Sequence, residues 1–427
     1  MYKVSFIAII LFALTACSPR YHKTFIGEDD IQSTFIKGER YTCDDWENYI
    51  PNGYTPMRYV RVNFHFMLDE NGEYNFPEQQ ARTYIRDLVR ACNDKLADNK
   101  QMNLPEGNDT PALPTRYRIV LTGDPSTGSD GIYFHRDDTA CFFDKQKNSG
   151  RYGLFDKSMF QYGVGQDSII NIFFLEHHPD SVAAHDDFNV TASGISFATN
   201  IKIFGAYYNA TTTFYGDEGQ PFNKGAWFYA GLVNHEIGHT LGLSHTWRTD
   251  DGCDDTPKNP GCWGPNDPPC NGINSNNMMD YNTCQCAISP CQLGKIHANF
   301  NMTGSRQRAV LQEKWCDYDP YNRAHIARNT TVTFQGYHDL NSDVVIEEGA
   351  TLIVRCRLAL PADARIIVRP GGTLIIDGGT ITNICGEEWE GIEVWESIKY
   401  GIKGEVKVAR GGIVENARNF TRKTLEE

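Results

Sequence analysis

In "RYVRVNFHFML", Val60, Val62, Phe64 and Phe66 alternate with Arg61, Asn63 and His65, the period-two pattern of a strand with one buried face. The period then changes. In "PEQQARTYIRDLVRACNDKLA", Ala81, Ile85, Leu88, Val89 and Cys92 fall at helical spacing behind a proline near the start. "RYRIVLTG" predicts a second strand, and "SIINIFFLE" and "GISFATNIKIFGAYYN" supply further strand candidates. "GAWFYAGLVNHEIGHTLGL" predicts one helix with Phe228, Leu232, Val233 and Ile237 as its apolar stripe and Gly242 as its terminator. A stretch rich in Cys, Pro and Gly follows from about 250 to 295, and a short helical segment, "SRQRAVLQEKW", ends near Cys316. Strands interleaved with helices predict an α/β region with a mixed sheet, over 58–320.

The flanks read differently. Residues 18–57 are polar and broken by Gly and Pro, as in a linker or pro-segment. Beyond 330, "VVIEEGATLIV", "IIVRPGGTLII" and "VKVARGGIVEN" are self-similar: a short β run, a glycine turn at Gly349, Gly371 or Gly411, then another β run. Such recurrence predicts an all-β, solenoid-like region over 330–427, possible continuation included, with an antiparallel sandwich as the other reading.

Charge narrows the partners. A net charge of −14 over 427 residues excludes nucleic acid, which needs clustered Lys and Arg. The first residues, "MYKVSFIAIILFALTAC", carry Lys3 before an apolar run, Val4 to Ala13, that is short for a bilayer span. Leu14-Thr15-Ala16-Cys17 looks like a bacterial lipobox, so residues 1–17 predict a lipoprotein signal with Cys17 as the lipidated residue. The expected location is the bacterial cell envelope, with the chain exported and anchored in the outer membrane through lipid on Cys17. An ordinary cleaved signal peptide is the alternative. Of the 13 cysteines, setting Cys17 aside leaves an even number, which favours disulfides in an exported chain. Cys253, Cys262, Cys270, Cys284, Cys286 and Cys291 crowd one region, and their pairing is not legible.

The chemistry concentrates in "NHEIGHTLGLSH". His235 and His239 are four apart, so a helix puts both imidazoles on one face, able to share a metal ion. Glu236 sits beside them, placed to take a proton from an activated water. Gly242 permits a sharp turn that returns His245 as a third nitrogen ligand. Three histidines with one open position suit catalytic zinc, whereas structural zinc is closed by four protein ligands.

The full pattern resembles the metzincin metallopeptidases, whose fold joins a mixed twisted sheet and an active-site helix to a methionine-bearing turn. "SNNMMDYN" supplies Met279, Asp280 and Tyr281 for that Met-turn. The His245-Thr246 pair, Asp255-Thr256-Pro257 and Asn277 to Tyr281 together resemble the pappalysin-type branch. The resemblance covers about 60 to 315 and is strongest from 231 to 297. It implies a zinc metalloendopeptidase acting on protein or peptide substrates, with Glu236 as general base and the Tyr281 hydroxyl steadying the oxyanion. Substrate would pair along an edge strand, for which "GISFA", Gly194 to Ala198, is the candidate. The branch often binds calcium near the site, which makes Asp250, Asp251, Asp254 and Asp255 candidate ligands; a merely solvated acidic loop is the other reading. "YNTCQCAISPCQLG" departs from the branch, with three cysteines and no acid.

Other residues carry less. His65, His135, His177, His178 and His185 lack ligand spacing and are expected at surfaces or sheet edges. Cys43 is either a thiolate holding the zinc position in a latent enzyme or half of a plain disulfide. Trp389 and Trp395 are either a sugar-stacking platform or packing residues. The competing function class is a surface adhesion protein acting through the solenoid, with a relic peptidase domain.

Overall fold

The computed structural model describes residues 20–38, 41–143, 157–180, 193–216, 218–247 and 251–421; Cys17, His185 and Asp250 lie outside these. The chain folds as mixed α/β, with several sheets and few helices. The central sheet is built on β3 (Arg58–Leu68), which pairs in parallel with β4 (Tyr117–Leu121), β5 (Ile132–Arg136) and β7 (Ile170–His177). Beyond β7, β6 (Phe142–Phe143) and β9 (Asn200–Phe204) also run parallel to it. Only β8 (Ser193–Phe197) is antiparallel, on the outer side of β9, and no strand covers its other edge among the described residues. The alternating residues Val60, Val62, Phe64 and Phe66 are all fully buried, as the pattern requires. Helix α1 (Glu78–Ala97) lays Ala81, Ile85, Leu88 and Cys92 into the same core. Two short helices, α2 (Lys157–Tyr162) and α3 (Ala206–Thr211), and the hairpin β10 (Phe214–Tyr215) with β11 (Pro221–Phe222) precede helix α4 (Ala226–Thr240). Helix α5 (Pro290–Asn301) lies in a stretch read above as irregular; Ser289 and Gln292 cap each other and Pro290 opens it, a start signal present in "SPCQ". The expected segment near Cys316 is α6 (Arg306–Ala309) followed by a 3₁₀ turn, Lys314–Cys316. Among the described residues no helix is long and apolar enough to cross a membrane.

After residue 320 the chain forms three stacks of parallel strands. The first contains β12 (Ala324–Ile326), β15 (Val344–Ile346), β18 (Arg365–Val368) and β21 (Gly391–Ser397). The second contains β13 (Thr331–Phe334), β16 (Thr351–Val354), β19 (Thr373–Asp377) and β23 (Glu405–Ala409). The third contains β14 (His338–Asp339), β17 (Arg357–Ala359), β20 (Thr380–Thr382) and β24 (Ile413–Val414). Short β22 (Ile402–Lys403) folds back on β21. Leu352, Val354, Leu358, Ile366, Leu374 and Ile376 fill one shared interior. Trp389 belongs to it, fully buried with Nε1–H donating to the Glu415 carbonyl at 2.8 Å. Trp395 is half-buried, with Tyr21 and Lys23 against its ring. Both tryptophans are packing residues.

The segment before β3 is no free linker. β1 (Tyr21–Phe25) pairs with β21 and β2 (Gln32–Ser33) with β23, closing the outer edges of two stacks. Tyr41 then donates to the Arg355 carbonyl, Cys43 is disulfide-bonded to Cys356, and Tyr49 accepts from the Tyr337 amide. The reading of Cys43 as a zinc-bound thiolate is thereby excluded. Backbone hydrogen bonding of a polar segment depends on edges made hundreds of residues later, so local composition could not reveal it. Cys316–Cys385 makes a second covalent link between the two regions, and Cys253–Cys291, Cys262–Cys270 and Cys284–Cys286 brace the cysteine-rich stretch. Cys92 and Cys141 remain free and buried.

The two regions also meet at a buried ionic cluster. Asp339 bonds Arg308 at 2.6 Å and Arg357 at 3.0 Å, and Arg58 donates to its carbonyl at 3.1 Å and to Asn301 at 2.9 Å. Burial pushes the Asp339 carboxyl up, but Arg357, Arg308 and Arg58 together hold it below the usual carboxylate range.

One histidine expected at a surface or sheet edge is not there, whereas His135 lies half-buried on β5, which among the described strands pairs only with β3. His65 is fully buried under the stacked rings of Tyr133 and Phe173; its Nε2–H donates to Asn171 at 2.9 Å, and its Nδ1 accepts from His135 Nε2 at 2.9 Å. His65 sits on a strand face that packs against side chains rather than water, so alternation in sequence did not mark that face as solvated. Burial lowers His65 to about 3, and His135 and His297 each to about 4, from an ordinary 6.5. Below pH 6.5 the unfolded chain therefore binds protons that the folded chain refuses, so stability is present above 6.5 and is lost as pH falls toward 4. Glu176, raised by burial to about 8, acts in the opposite sense through one proton. Calorimetry from pH 7 to pH 5 should show a falling Tm, with a shallower slope in His297→Gln; equal slopes would reject the assignment.

Candidate active site

Helix α4 is buried on two sides, which explains why its apolar stripe is not a simple one. Tyr229, Val233 and Ile237 face the core, while His235 and Glu236 are buried against the cleft. Phe228, expected in the stripe, is instead 46% exposed, with Lys224 Nζ 5.0 Å from its ring centre. Asn234 ties the helix to α1 by donating to the Cys92 carbonyl at 3.0 Å.

The helix ends as the glycine predicts. Gly242 has φ +103°, its amide bonds the His239 carbonyl at 3.0 Å, and the Leu243 amide bonds the Gly238 carbonyl at 2.9 Å. This left-handed cap satisfies the last carbonyls and reverses the chain. The reversal brings His245 back, and the three Nε2 atoms converge: His235 to His239 3.1 Å, His235 to His245 3.1 Å, His239 to His245 3.0 Å. Nitrogens bonded to one zinc at about 2.0–2.1 Å must lie roughly 3–3.5 Å apart, so this donor set fits that ion.

Carbonyl partners hold two of the rings in place. His235 Nδ1–H donates to the Met278 carbonyl at 2.7 Å and His239 Nδ1–H to the Leu243 carbonyl at 2.9 Å, leaving the Nε2 lone pairs toward the common point. Burial, reinforced by His239 and His245, lowers His235 to about 3 despite the Met278 bond, so its imidazole is neutral and free to ligate. Burial also pushes the Glu236 carboxyl up to about 8, opposed by a hydrogen bond from Ser196 of β8. Edge strand β8 runs close beside Glu236: a Cβ on Gly194 would lie 2.7 Å from Glu236 Oε1.

Beneath the histidines lies the turn predicted from Met279. Met279 is fully buried, and its amide bonds Asn277 Oδ1 at 2.8 Å. Both methionines matter, Met278 through its carbonyl and Met279 through its side chain. Asp280 is buried and joins this turn to the third histidine's segment, accepting from Thr246 and from Asn259 Nδ2 at 2.8 Å. Tyr281 is 40% exposed on the cleft wall, its ring 5.3 Å from that of His245. Together β8, Leu232, Trp247, Trp263, Tyr281 and Gln285 enclose a cleft of about 980 Å³ over the histidines and Glu236.

No family model matches this chain, and no curated protein matches it. Among solved structures it is similar to Tannerella forsythia mature mirolysin in complex with a cleaved peptide, at 16% identity and a TM-score of 0.40, over 61% of this chain and 96% of that one. Mirolysin in complex with compound 9 is similar at 18% identity and a TM-score of 0.39, over 60% and 96%. The functional reading below rests on the site's own residues.

The aspartates expected to hold calcium do not converge among the described residues. Asp255 caps α5, accepting from Ser289 Oγ at 2.7 Å and the Cys291 amide at 3.0 Å. Asp251 accepts from Thr256 Oγ1 at 2.9 Å and the Cys253 amide at 3.1 Å, and Asp254 joins no ligand cluster. The Asp251 and Asp255 carboxylates serve loop structure, because a cysteine-rich loop with little apolar content needs polar closure. Asp255 does approach Cys253 and Cys291, but those cysteines are bonded to each other and offer no thiolate.

Gly238 was missed in the sequence, although a glycine inside a helix costs about 1 kcal/mol against alanine and so invites a reason. Its absent side chain is that reason: a Cβ there would lie 2.5 Å from Met279 Sδ and 3.1 Å from Met278 Cε. Gly238→Ala should therefore destabilise the fold by about 1–3 kcal/mol and weaken metal retention, since Met278 orients His235. Denaturant unfolding and bound-metal analysis check this; a variant as stable and metal-rich as the parent would contradict it.

Proposed function

We propose that the protein is an exported zinc-dependent endopeptidase, and the observation that carries this is the convergence of three Nε2 atoms beside a buried carboxyl in an open cleft. His235, His239 and His245 would hold the ion. Bound there, zinc would acidify a water and polarise a peptide carbonyl. Glu236 takes a proton from the attacking water and delivers it to the leaving amine; its raised affinity for protons suits both steps. The Tyr281 hydroxyl, on the cleft wall, steadies the oxyanion. The edge of β8 that no described strand covers would offer backbone groups to an extended substrate, whose scissile bond would then pass Glu236.

Two further parts belong to this reading. The stacks of parallel strands after residue 320 support a β-solenoid, each turn of chain giving one strand to each stack. The lipobox at Cys17 supports an envelope lipoprotein.

A casein digest tests the central point. Cleavage should stop on treatment with a zinc chelator and return on adding zinc alone. Cleavage indifferent to the chelator would remove zinc from the mechanism.

A further inference from the structure

The hairpin of β21 and β22 exposes three large apolar side chains, two on its turn and one on β22. Ile398 is 62% exposed, Tyr400 66% and Ile402 47%. Lys399 lies between them, with Nζ 4.8 Å from the Tyr400 ring, and Lys403 follows. On the neighbouring strand β1, Lys23 stands 4.1 Å above Trp395, and Tyr21 stacks on the same tryptophan. Two carboxylates offset part of this charge: Glu396, paired in register with Lys403, and Glu393, which accepts from Trp395 Nε1–H. Exposed isoleucine and tyrosine interleaved with lysine is the composition of a surface that enters lipid headgroups: the apolar parts leave water while the ammonium groups reach anionic phosphates. It is a local reversal of charge in a chain that carries −14 overall.

A second observation brings the N-terminal segment to this spot. The Ile398 amide donates to the Arg20 carbonyl at 3.2 Å, so the first described residue is bonded to the tip of this same hairpin. Cys17 precedes Arg20 by three residues, a reach of about 10 Å at full extension. Any acyl chains on Cys17 would therefore enter the membrane beside Ile398 and Tyr400. The contacts at Asp339, Arg357 and Cys385 that join the peptidase region to the strand stacks lie elsewhere, and among the described residues Ile398 and Tyr400 stay exposed.

We propose that the β21–β22 hairpin, with Lys23 of β1, is a membrane-facing surface that docks into an anionic bilayer and fixes the orientation of the protein on it. The membrane partner rests on the lipoprotein reading of Cys17, but the surface can be tested without acylation.

The chain starting at Ser18 keeps every described residue and carries no acyl group. It should co-sediment with vesicles of phosphatidylglycerol and phosphatidylethanolamine, and far less with phosphatidylcholine alone. The triple variant Ile398→Ser, Tyr400→Ser, Ile402→Ser should bind the anionic vesicles at least tenfold more weakly, with unchanged thermal unfolding and casein cleavage. Equal binding by variant and parent, or no binding by the parent, overturns the proposal. So does concentration-dependent self-association that the variant abolishes without any vesicle binding, because the patch would then be a protein interface. Mass analysis of Cys17 in the exported full chain is separate: an unmodified Cys17 overturns the lipoprotein reading while leaving the vesicle result to judge the surface.

Discussion

Glu236→Gln is expected to reduce peptide hydrolysis at least about a thousandfold while leaving zinc bound, the largest effect of any single change at the site. Glutamine keeps the volume of the side chain and can still meet Ser196, but it has no basic oxygen to take the proton of the attacking water. His235 and His239 keep their own supports, the Met278 and Leu243 carbonyls, which the substitution does not touch. Zinc content and casein cleavage measured on the same sample separate the two roles. A variant that cleaves at the parental rate would show that another group handles the proton. One that loses zinc would show that Glu236 also shapes the ligand set.

The largest expected loss of stability lies far from the cleft, at Asp339. Its carboxylate is fully buried and faces the guanidinium groups of Arg308 and Arg357, with Arg58 bonded to its carbonyl and itself lowered to about 10 by burial. Asp339→Asn preserves shape and removes the only negative charge at the centre of that group. Uncompensated guanidinium charge in a dry interior costs about 3–5 kcal/mol, because the ions cannot regain their hydration without opening the contact between the regions. Guanidinium unfolding should register that loss. The control is Asp317→Asn, whose partner Lys314 is half exposed at 2.8 Å; there the change should stay within about 0.5 kcal/mol. Equal effects at the two sites would mean that the cluster does not hold the regions together.

How much of this was legible beforehand differs from element to element for identifiable reasons. The strand at Val60 to Phe66 and the helix at Ala81 to Cys92 were readable because one buried face repeats every two residues or every three to four. The convergence of three histidines was readable because helical spacing and one glycine turn place His235, His239 and His245 within eleven residues of chain. Helix α5 was announced by Ser289, Pro290 and Gln292, yet the surrounding cysteines and prolines masked it. The candidate calcium aspartates looked alike in sequence and separated only when Asp255 met the end of α5. His65 looked like the polar half of an alternating strand and became buried once His135 and Asn171 gave its nitrogens partners.

Taken alone, the sequence determined the local items: strand and helix periods, the metal-binding spacing, the Gly242 reversal and the recurrent turns at Gly349, Gly371 and Gly411. Each depends on dihedral preferences and side-chain direction over a few residues. Only the tertiary structure decided that β1 and β2 close edges of the strand stacks, that Cys43 pairs with Cys356, that Gly238 makes room for Met279, and that Arg58 shares Asp339 with two other arginines. Those outcomes depend on which distant edge, cavity or charge arrives alongside, and burial makes the cost of leaving any of them unpaired too high for the chain to accept.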